Sequence, residues 1–280
     1  MSRIARKTLL ARDIHELVVD APQLAAKAQP GHFVIVMADE TGERVPLTIA
    51  DFDRRAGTIT LVLMVVGSST LKLSRLPEGG DLYALLGPLG HATEIPDGGT
   101  VVMAAGGVGA APIYPIARAC RERGCRVWTI QGSRTRDLLF WQDKLAAVSE
   151  RHIITTDDGS AGRKGLVTEP LRELMDQRER QPIRQVYAIG PVVMMRACSE
   201  VTRAAGLKTI VSLNTIMVDG TGMCGGCRVN VGGRTLFTCV DGPEFDGHQV
   251  DWDLLLSRQK TYRQDEQCSL NRYVKEAGLK

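Results

Sequence analysis

Three cysteines and one aspartate lie close together in a short, glycine-rich segment of the chain. In order they are Asp219, Cys224, Cys227 and Cys239. Cys-x4-Cys-x2-Cys followed by a more distant cysteine is the spacing of plant-type 2Fe–2S ferredoxins, and here an aspartate takes the first position. A carboxylate can ligate iron, although it is a harder donor than a thiolate. The spacing therefore favours a 2Fe–2S centre.

A zinc site is the alternative for the same residues. Three cysteines with Asp219 or His248 could hold zinc tetrahedrally. Structural zinc sites more often pair two short cysteine knuckles, whereas Cys239 stands alone, so iron–sulfur chemistry is favoured. Seven cysteines cannot all pair within one chain. We expect packing roles for the four scattered ones, which are Cys120, Cys125, Cys198 and Cys268.

A glycine-rich turn, Gly106-Gly107-Val108-Gly109-Ala110-Ala111-Pro112, follows a predicted strand and begins a predicted helix. Backbone N–H groups at such a turn can approach phosphates closely. Pro112 replaces the third glycine of the usual dinucleotide fingerprint, and no acidic residue ends the next strand, so a turn that serves packing alone is an alternative. A second strand end, Ile189-Gly190-Pro191, favours a nucleotide cleft at this edge.

Two further segments carry groups suited to a pyrophosphate. Arg44-Val45-Pro46-Leu47-Thr48 combines a cation, a rigid proline and a hydroxyl, and Val65-Val66-Gly67-Ser68-Ser69-Thr70 ends a strand with glycine and hydroxyls. Arginine pairs with phosphate oxygens, and hydroxyls and backbone N–H groups complete the hydrogen bonds. Each segment alone also fits an ordinary strand edge and helix N-cap.

The elements that must position these residues change character along the chain. Residues 1–97 contain β-branched runs separated by turn residues, which predicts a small antiparallel β-barrel with a short helix at 70–75. Residues 98–213 alternate apolar strands with amphipathic helices, which predicts a parallel sheet covered on both faces. The predicted strands are 32–38, 44–50, 58–66, 101–105, 126–131, 152–156, 185–189 and 209–213, and the predicted α/β helices are 113–123, 138–149, 167–178 and 192–205.

The rest of the chain is divided into two short segments. Residues 214–250 offer hairpin strands at most and form the cluster module, because a region this small usually needs a metal. Residues 251–280 are a polar, partly helical tail. The fold class expected is thus a β-barrel domain, an α/β parallel-sheet nucleotide-binding domain and a small C-terminal iron–sulfur module, and the resemblance given below implies that the barrel is an FAD domain.

Composition excludes some function classes. The formal net charge of the 280 residues is only +3, which gives no support to a nucleic-acid binder. The basic N-terminal segment has no apolar run of signal-peptide length, and the weakly polar run 101–117 is broken by glycine and proline. We expect a cytoplasmic protein that binds neither membrane nor nucleic acid.

With all three motif sets in order, the chain resembles the ferredoxin–NADP reductase-like electron-transfer flavoproteins over nearly its full length. The cluster segment is similar to that of dihydroorotate dehydrogenase electron-transfer subunits, which have four cysteines, so Asp219 departs from them. An Asp with three cysteines resembles instead the small subunits of NADH-dependent ferredoxin–NADP oxidoreductases, also described as sulfide dehydrogenase subunit beta. The segment 155–160 with Gly165 fits that group too.

The resemblance implies a set of cofactors and residues that bind them. FAD would be held by Arg44, Pro46, Leu47, Thr48, Val65, Gly67, Ser69 and Thr70. The nicotinamide nucleotide would be held by Gly106, Gly107, Val108, Gly109, Ala111, Pro112, Arg134, Asp157, Gly190, Pro191 and Met194. The cluster ligands would be Asp219, Cys224, Cys227 and Cys239. The cysteine that usually precedes Gly190 in this superfamily is an isoleucine here, and no catalytic acid or base is predicted.

The implied activity is a redox relay from NAD(H) through FAD to the cluster. NADP(H) stays open, because Ser133 and Arg134 could bind a 2′-phosphate. The implied partner is a larger flavin and iron–sulfur subunit in a heterodimer that exchanges electrons with ferredoxin, with flavin-based bifurcation. The alternatives are an electron-transfer subunit of dihydroorotate dehydrogenase or of a hydrogenase and, from another class, a zinc-stabilised nucleotide-binding scaffold without redox activity.

Overall fold

The N-terminal part of the chain is an antiparallel, nearly closed barrel. A computed structural model of the chain describes residues 2–179 and 181–279. Its strands are β1 (Ser2–Ala11), β2 (Ile14–Asp20), β3 (Phe33–Met37), β4 (Val45–Asp53), β5 (Thr58–Met64), β6 (Asp81–Leu82) and β7 (Ala84–Leu89). They pair in the order β6-β1-β2-β5-β4-β3-β7. Two short helices, α1 (Pro22–Lys27) and α2 (Ser68–Arg75), accompany the sheet.

Apolar side chains fill the barrel at alternate positions of its strands. Val34 and Val36 of β3 point into the same core as Ile59, Leu61 and Leu63 of β5. Period-two alternation places all of these side chains on the inner face. The predicted antiparallel barrel is confirmed, although no strands were predicted at β1, β2, β6 and β7.

A second sheet is built from alternating strands and helices. Its strands are β8 (Thr100–Gly106), β9 (Arg126–Ser133), β10 (Arg151–Thr156), β11 (Arg163–Lys164), β12 (Ile183–Ile189) and β13 (Thr209–Ser212). Between them lie α3 (Ala110–Glu122), α4 (Gln142–Val148), α5 (Thr168–Asp176) and α6 (Val192–Ala204). These strands pair in parallel in the order β11-β10-β9-β8-β12-β13, as predicted.

Helices cover both faces of this sheet, so its central strands are buried on each side. In β8, Val102 and Ala104 face α5 and α6, while Val101 and Met103 face α3. The second of these cores continues into the barrel, where it includes Ile14. The barrel and the parallel sheet therefore share an apolar core.

The C-terminal segment is attached to the parallel sheet. It contains the hairpin β14 (Arg228–Val231) and β15 (Arg234–Phe237), then β16 (Glu244–Asp246), α7 (Trp252–Arg258) and α8 (Arg263–Glu276). Strand β16 adds to the sheet antiparallel to β13. Trp252 and Leu255 of α7 lie in the same core as α5 and α6.

One predicted helix is shorter than expected. The sequence predicts a helix over 138–149, but only α4 is α-helical there, and a single 3₁₀ turn covers Arg136–Leu138. The chain breaks at Trp141, which has φ of 53°. Gln131 Nε2 donates to the carbonyl oxygen of Phe140 over 2.8 Å, so a buried side-chain contact holds the preceding residue out of the helix. The other predicted helices and strands are present with ends shifted by a few residues.

No helix within residues 2–179 and 181–279 combines the length and the apolar character that crossing a membrane would require.

Candidate functional site

A cleft of about 870 Å³ lies at the carboxyl ends of the parallel strands, between the sheet and the barrel. Most of the predicted cofactor residues line it: Pro46, Leu47, Thr48, Gly106, Gly107, Val108, Gly109, Ala111, Pro112, Arg134, Asp157, Gly190, Pro191 and Met194. Segments that are far apart in the sequence thus meet in one site. The carboxyl edge of an open parallel sheet is where such folds bind ligands.

The glycine turn after β8 is built for close approach of backbones. Gly107 has φ of 54°, in the left-handed region that favours glycine. A Cβ placed on Gly109 would lie 2.1 Å from the carbonyl oxygen of Ile189. The turn forms a single 3₁₀ turn, and α3 begins at Ala110. Backbone N–H groups at the start of α3 therefore face the cleft, where they could bind phosphate.

The second strand end, after β12, contacts the first directly. A Cβ on Gly190 would lie 3.0 Å from Cα of Gly106. A Cβ on Gly106 would lie 2.4 Å from Met194 Sδ, so the methionine side chain packs against this glycine. Both positions require glycine for packing as well as for ligand access. The packing alternative and the nucleotide alternative are thus compatible at this edge.

The predicted FAD residues divide into two groups. Pro46, Leu47 and Thr48 of β4 line the cleft. The second group lies outside the cleft lining and consists of Arg44, Val65, Gly67, Ser69 and Thr70. Ser69 Oγ donates to Glu43 Oε2 over 2.6 Å, which brings the start of α2 beside exposed Arg44. Thr70 Oγ1 accepts from the backbone N–H groups of Val66 and Gly67, so it caps α2.

At the other end of the cleft, a cation and a carboxylate are both available. Arg134 and Asp157 line this end and are exposed. They follow β9 and β10, which are adjacent in the sheet, and the N–H of Asp157 donates to the carbonyl oxygen of Ser133 over 3.1 Å. A ligand at this end meets one charge of each sign.

Asp219 organises the cysteine loop by hydrogen bonds to the backbone. Its Oδ1 accepts from the N–H of Thr221 over 2.5 Å, and its Oδ2 accepts from the N–H of Cys224 over 2.6 Å. The bond from Thr221 is the main cause that lowers the pKa of Asp219 to about 2. The carboxylate is therefore charged at neutral pH and lies next to the backbone of the first cysteine.

The other two cysteines are buried together. Cys227 Sγ and Cys239 Sγ are 3.2 Å apart, and each residue is at most 3% exposed. Burial, with a further contribution from the neighbouring Cys227, raises the pKa of Cys239 to about 12. The Cys239 thiol is consequently protonated unless a cation binds it, and metal binding there would release its proton. Cys224 is exposed, and its Sγ accepts from the N–H of Gly226 over 3.4 Å.

The four predicted ligands thus approach one another in pairs. Within residues 2–179 and 181–279, no three His, Cys, Asp or Glu side chains converge as a ready metal site. His248, the alternative zinc ligand, is hydrogen bonded through Nε2 to Thr202 Oγ1 of α6 over 3.0 Å. The thiol pair and the adjacent Asp219–Cys224 contact fit a cluster with three thiolates and one carboxylate better than a site that uses His248.

Several residues of the site carry no motif in the sequence. Phe33 and Met217 line the cleft and also pack against Cys227 and Cys239. Asn214, Thr215 and Gln259 line the same wall. Asn214, Thr215 and Met217 stand beside the cysteines in the sequence, which could have drawn attention to them, whereas Phe33 and Gln259 carry no such signal.

Relatives cover nearly the whole chain. A protein of Thermotoga maritima, named as a homologue of the dihydroorotate dehydrogenase B (NAD(+)) electron transfer subunit, is 44% identical over 278 residues, which is 99% of this chain and 97% of that protein. This chain belongs to the dihydroorotate dehydrogenase B electron-transfer subunit family. The electron transfer subunit of Desulforamulus reducens is 33% identical over 88% of this chain and 95% of its own length.

The matched family profiles agree with the site. Residues 103–200 match an oxidoreductase NAD-binding domain, and residues 214–251 match the iron–sulfur cluster binding domain of dihydroorotate dehydrogenase B. The predicted family and the predicted cofactors are therefore confirmed, and the chain is of the oxidoreductase type.

Solved structures agree with the fold. One chain from the structure of the NADH-dependent reduced ferredoxin–NADP oxidoreductase, studied for flavin-based electron bifurcation, superimposes with a TM-score of 0.92 at 43% identity, over 98% of both chains. Phthalate dioxygenase reductase, described as modular for electron transfer from pyridine nucleotides to a 2Fe–2S centre, is 16% identical with a TM-score of 0.56 over 82% of this chain and 86% of its own. That match shows the fold alone.

Proposed function

We propose that this chain transfers electrons from NAD(H) through FAD to a 2Fe–2S cluster, as the smaller subunit of a complex with a larger flavin and iron–sulfur subunit. The observation that carries the proposal is that one cleft joins predicted nicotinamide residues to the segment Pro46–Thr48 of the predicted flavin site. Phe33 and Met217 line this cleft and belong to the same buried cluster as two predicted cluster ligands, Cys227 and Cys239. The predicted division into residues 1–97, 98–213, 214–250 and 251–280 gives each cofactor its own segment.

Bound FAD would supply hydride acceptance from NADH and one-electron transfer, and a bound cluster would supply one-electron conduction. The chain's residues bind and orient. The turn at Gly106–Gly109 and the start of α3 would hold the nucleotide's phosphates, and Gly190 with Met194 would border its nicotinamide end. Pro46 to Thr48 would hold the flavin ring, and Arg44 beside α2 would pair with the FAD pyrophosphate.

The cluster would be held by Asp219, Cys224, Cys227 and Cys239. Cys227 and Cys239 are already neighbours in a buried cluster with Phe33, Ile35 and Met217. Because Phe33 and Met217 also line the cleft, apolar side chains connect the two proposed sites.

Asp219 as the fourth ligand predicts a measurable change in the cluster. Asp219→Cys should retain the cluster, with iron content near the wild-type value, but shift its midpoint potential, because ligand softness changes. A redox titration followed by electron paramagnetic resonance measures the potential. An unchanged potential and spectrum would show that Asp219 only caps the loop.

NADH is the proposed electron donor. Asp157 would repel the 2′-phosphate of NADPH, whereas Arg134 beside it would attract that group, and the protein with 43% identity is described as NADH-dependent. The test is purification without oxygen, an absorption spectrum, and comparison of bleaching rates with NADH and NADPH. We expect flavin and iron–sulfur absorption and faster bleaching by NADH. Much faster bleaching by NADPH would reverse the choice of nucleotide, and a colourless, zinc-containing protein would end the proposal.

The larger complex has two candidates. The 44% identical relative points to a dihydroorotate dehydrogenase B type of partner, and the 43% identical chain points to a ferredoxin–NADP oxidoreductase type with flavin-based bifurcation. The sequence resemblance adds a sulfide dehydrogenase as another form of this second type. The aspartate at the first ligand position favours the second, with ferredoxin reached through the partner. Co-purification of the native complex and identification of its second chain distinguish the two.

A further inference from the structure

A buried carboxylate of the barrel is hydrogen bonded to the parallel-sheet unit behind the cleft. Glu16 of β2 is 6% exposed. Its Oε2 accepts from the indole Nε1 of Trp141 over 3.1 Å, and its Oε1 accepts from Arg6 over 3.0 Å. Because a buried carboxylate is costly without partners, these two bonds fix where the Trp141 ring can lie relative to the barrel.

Trp141 is held in an unusual conformation at this contact. Its φ of 53° is an outlier for a bulky residue. The ring packs edge-to-face on Tyr114 and Phe140, with centroids 5.6 and 5.8 Å away. Lys144 Nζ lies 4.0 Å from the centroid of the Trp141 ring and 4.2 Å from that of Tyr114. Strain of this kind persists only where the surroundings over-determine the conformation.

A second carboxylate of the barrel reaches the same helices. Asp51 of β4 accepts from Arg118 of α3 over 2.5 Å and from Lys144 of α4 over 2.7 Å, and its side chain is 18% exposed. Lys144 therefore belongs to both contacts. Together, Glu16, Trp141, Asp51, Arg118 and Lys144 form one connected set, the interdomain clamp.

The clamp lies on the elements that form the cleft. Strand β2 begins at Ile14, which lines the cleft two residues before Glu16. Helix α3 begins in the glycine turn, contributes Ala111 and Pro112 to the cleft, and carries Arg118 further along. A rotation between barrel and sheet would therefore move the two walls of the cleft relative to each other.

We propose that the clamp residues are positioning residues for hydride transfer, an inference that rests on the proposed function. The predicted flavin residues belong to the barrel and the predicted nicotinamide residues to the sheet, so the distance between the two rings depends on the angle between the units. The shared apolar core holds the barrel and the sheet together without fixing the angle between them, because the hydrophobic effect is non-directional. The hydrogen-bonded carboxylates supply the direction, and hydride transfer needs reacting atoms about 3–3.5 Å apart.

The test uses Trp141→Phe, which keeps an aromatic ring but removes the indole donor, together with Glu16→Gln and their double variant. The matched control is Arg12→Gln, because Arg12 and Asp137 form an exposed ion pair between the same two units at 3.4 Å. Lys144→Met removes the Lys144–Asp51 ion pair together with the cation–π contact on Trp141, and it leaves the Arg118–Asp51 bond in place. Flavin and iron content are measured first in every variant.

Two readouts distinguish positioning from folding. In stopped-flow reduction by NADH, we expect the limiting rate to fall at least about 10-fold while the apparent Kd for NADH changes less than about 2-fold. In hydrogen–deuterium exchange without nucleotide, we expect faster exchange in β2 and α4 than in wild type or Arg12→Gln. The double variant should be no slower than the worse single variant, since both remove one contact.

The outcomes separate this proposal from the one on which it rests. A wild-type protein that takes no electrons from NADH would refute the proposed function, and the exchange readout would still test the clamp. A normally reduced wild type, with variants equal to it in both limiting rate and exchange, would overturn the clamp. A loss that appears only as a higher Kd would also overturn it, because that result would assign these residues to nucleotide binding.

Discussion

The cofactor cleft and the cysteine loop are built in opposite ways. The cleft is formed by strand ends that are buried and paired, and its glycine turns contact each other directly, so its shape follows from packing of the fold. The loop at 219–227 consists largely of glycine and turns and is held by the hydrogen bonds of Asp219. Of its predicted ligands, only Cys227 and Cys239 bring side-chain sulfur atoms into contact.

This difference indicates how each site depends on its ligand. A cleft made by secondary structure exists before the nucleotide binds, whereas a cluster loop gains its final geometry from the metal. The two regions should therefore fail independently when each is disrupted.

The largest expected effect is loss of the cluster in Cys239→Ser. Cys239 is buried against Cys227, so a hydroxyl there cannot supply the soft donor that iron requires. We expect the iron content to fall to near zero, while NADH still bleaches the flavin at a rate close to that of wild type. Iron analysis and anaerobic stopped-flow absorbance measure the two. The matched control is Cys268→Ser, because Cys268 is exposed on α8.

If Cys239→Ser also abolished flavin reduction, the cleft would depend on the loop, and the contrast between the regions would be wrong. Loss of iron in Cys268→Ser as well would point to general damage by handling or oxidation.

The second expected effect concerns the cleft alone. Gly109→Ala places a methyl group 2.1 Å from the carbonyl oxygen of Ile189, so two packed strand ends must separate. We expect a loss of about 3 kcal/mol or more in the free energy of unfolding, with NADH binding weakened at least about 10-fold. Denaturant unfolding and NADH titration measure these, and the cluster signal should be retained.

Gly107→Ala is the matched control for that substitution. Apart from its two chain neighbours, no heavy atom of residues 2–179 and 181–279 lies within 4 Å of a Cβ at Gly107, so its φ of 54° is what opposes the change. The expected cost is about 1–2 kcal/mol. Equal losses in the two variants would mean that the backbone conformation, and not the close approach to Ile189, governs this turn.

The same contrast explains what could be predicted from the sequence. The turn at 106–112 can be recognised in the sequence because only certain residues allow its backbone conformation. The cysteine motif can be recognised because the spacing of its ligands along the chain is itself a sequence pattern. Contacts over long sequence separations leave no such pattern. Phe33 and Met217 come together only in the folded chain. The bond from Gln131 to Phe140 spans only nine residues, but it joins a strand to a loop, so no helical or strand periodicity marks it.

The attachment of β16 is a further example. Residues 214–250 were predicted to form a module with hairpin strands at most. Strand β16 (Glu244–Asp246) instead pairs with the edge of the parallel sheet. Three residues carry too little periodicity to reveal a strand. The pairing partner Thr209–Ser212 supplies the missing hydrogen bonds, and α7 then packs on the sheet's core.

The smallest expected effect tests the link between the two regions. Glu244 of β16 accepts from Thr93 Oγ1 over 2.7 Å, so it connects the C-terminal segment to the chain between barrel and sheet. Burial raises the pKa of Glu244 to about 7 from an ordinary value of 4.5, and the Thr93 bond opposes this only in part. The folded protein therefore holds this proton more tightly than the unfolded chain does.

The sign of the pH dependence follows from that preference. The stabilising contribution of protonated Glu244 is complete below about pH 4.5 and is lost as the pH rises through about 7. This loss should lower the free energy of unfolding by up to about 3 kcal/mol between pH 4.5 and 8. Glu244→Gln keeps an amide in contact with Thr93 and has no charge to bury. Its unfolding free energy should therefore exceed that of wild type at pH 8 and match it more closely at pH 4.5.

Urea unfolding at several pH values measures this difference, and Glu94→Gln is the control because the Glu94 side chain is 89% exposed. A wild-type pH slope that survives unchanged in Glu244→Gln would assign the slope to other groups. A slope removed in Glu244→Gln but retained in Glu94→Gln would mean that a buried proton stabilises the junction at which the cysteine-bearing segment joins the sheet. The two regions would then be independent in their ligands but coupled through this one carboxyl group.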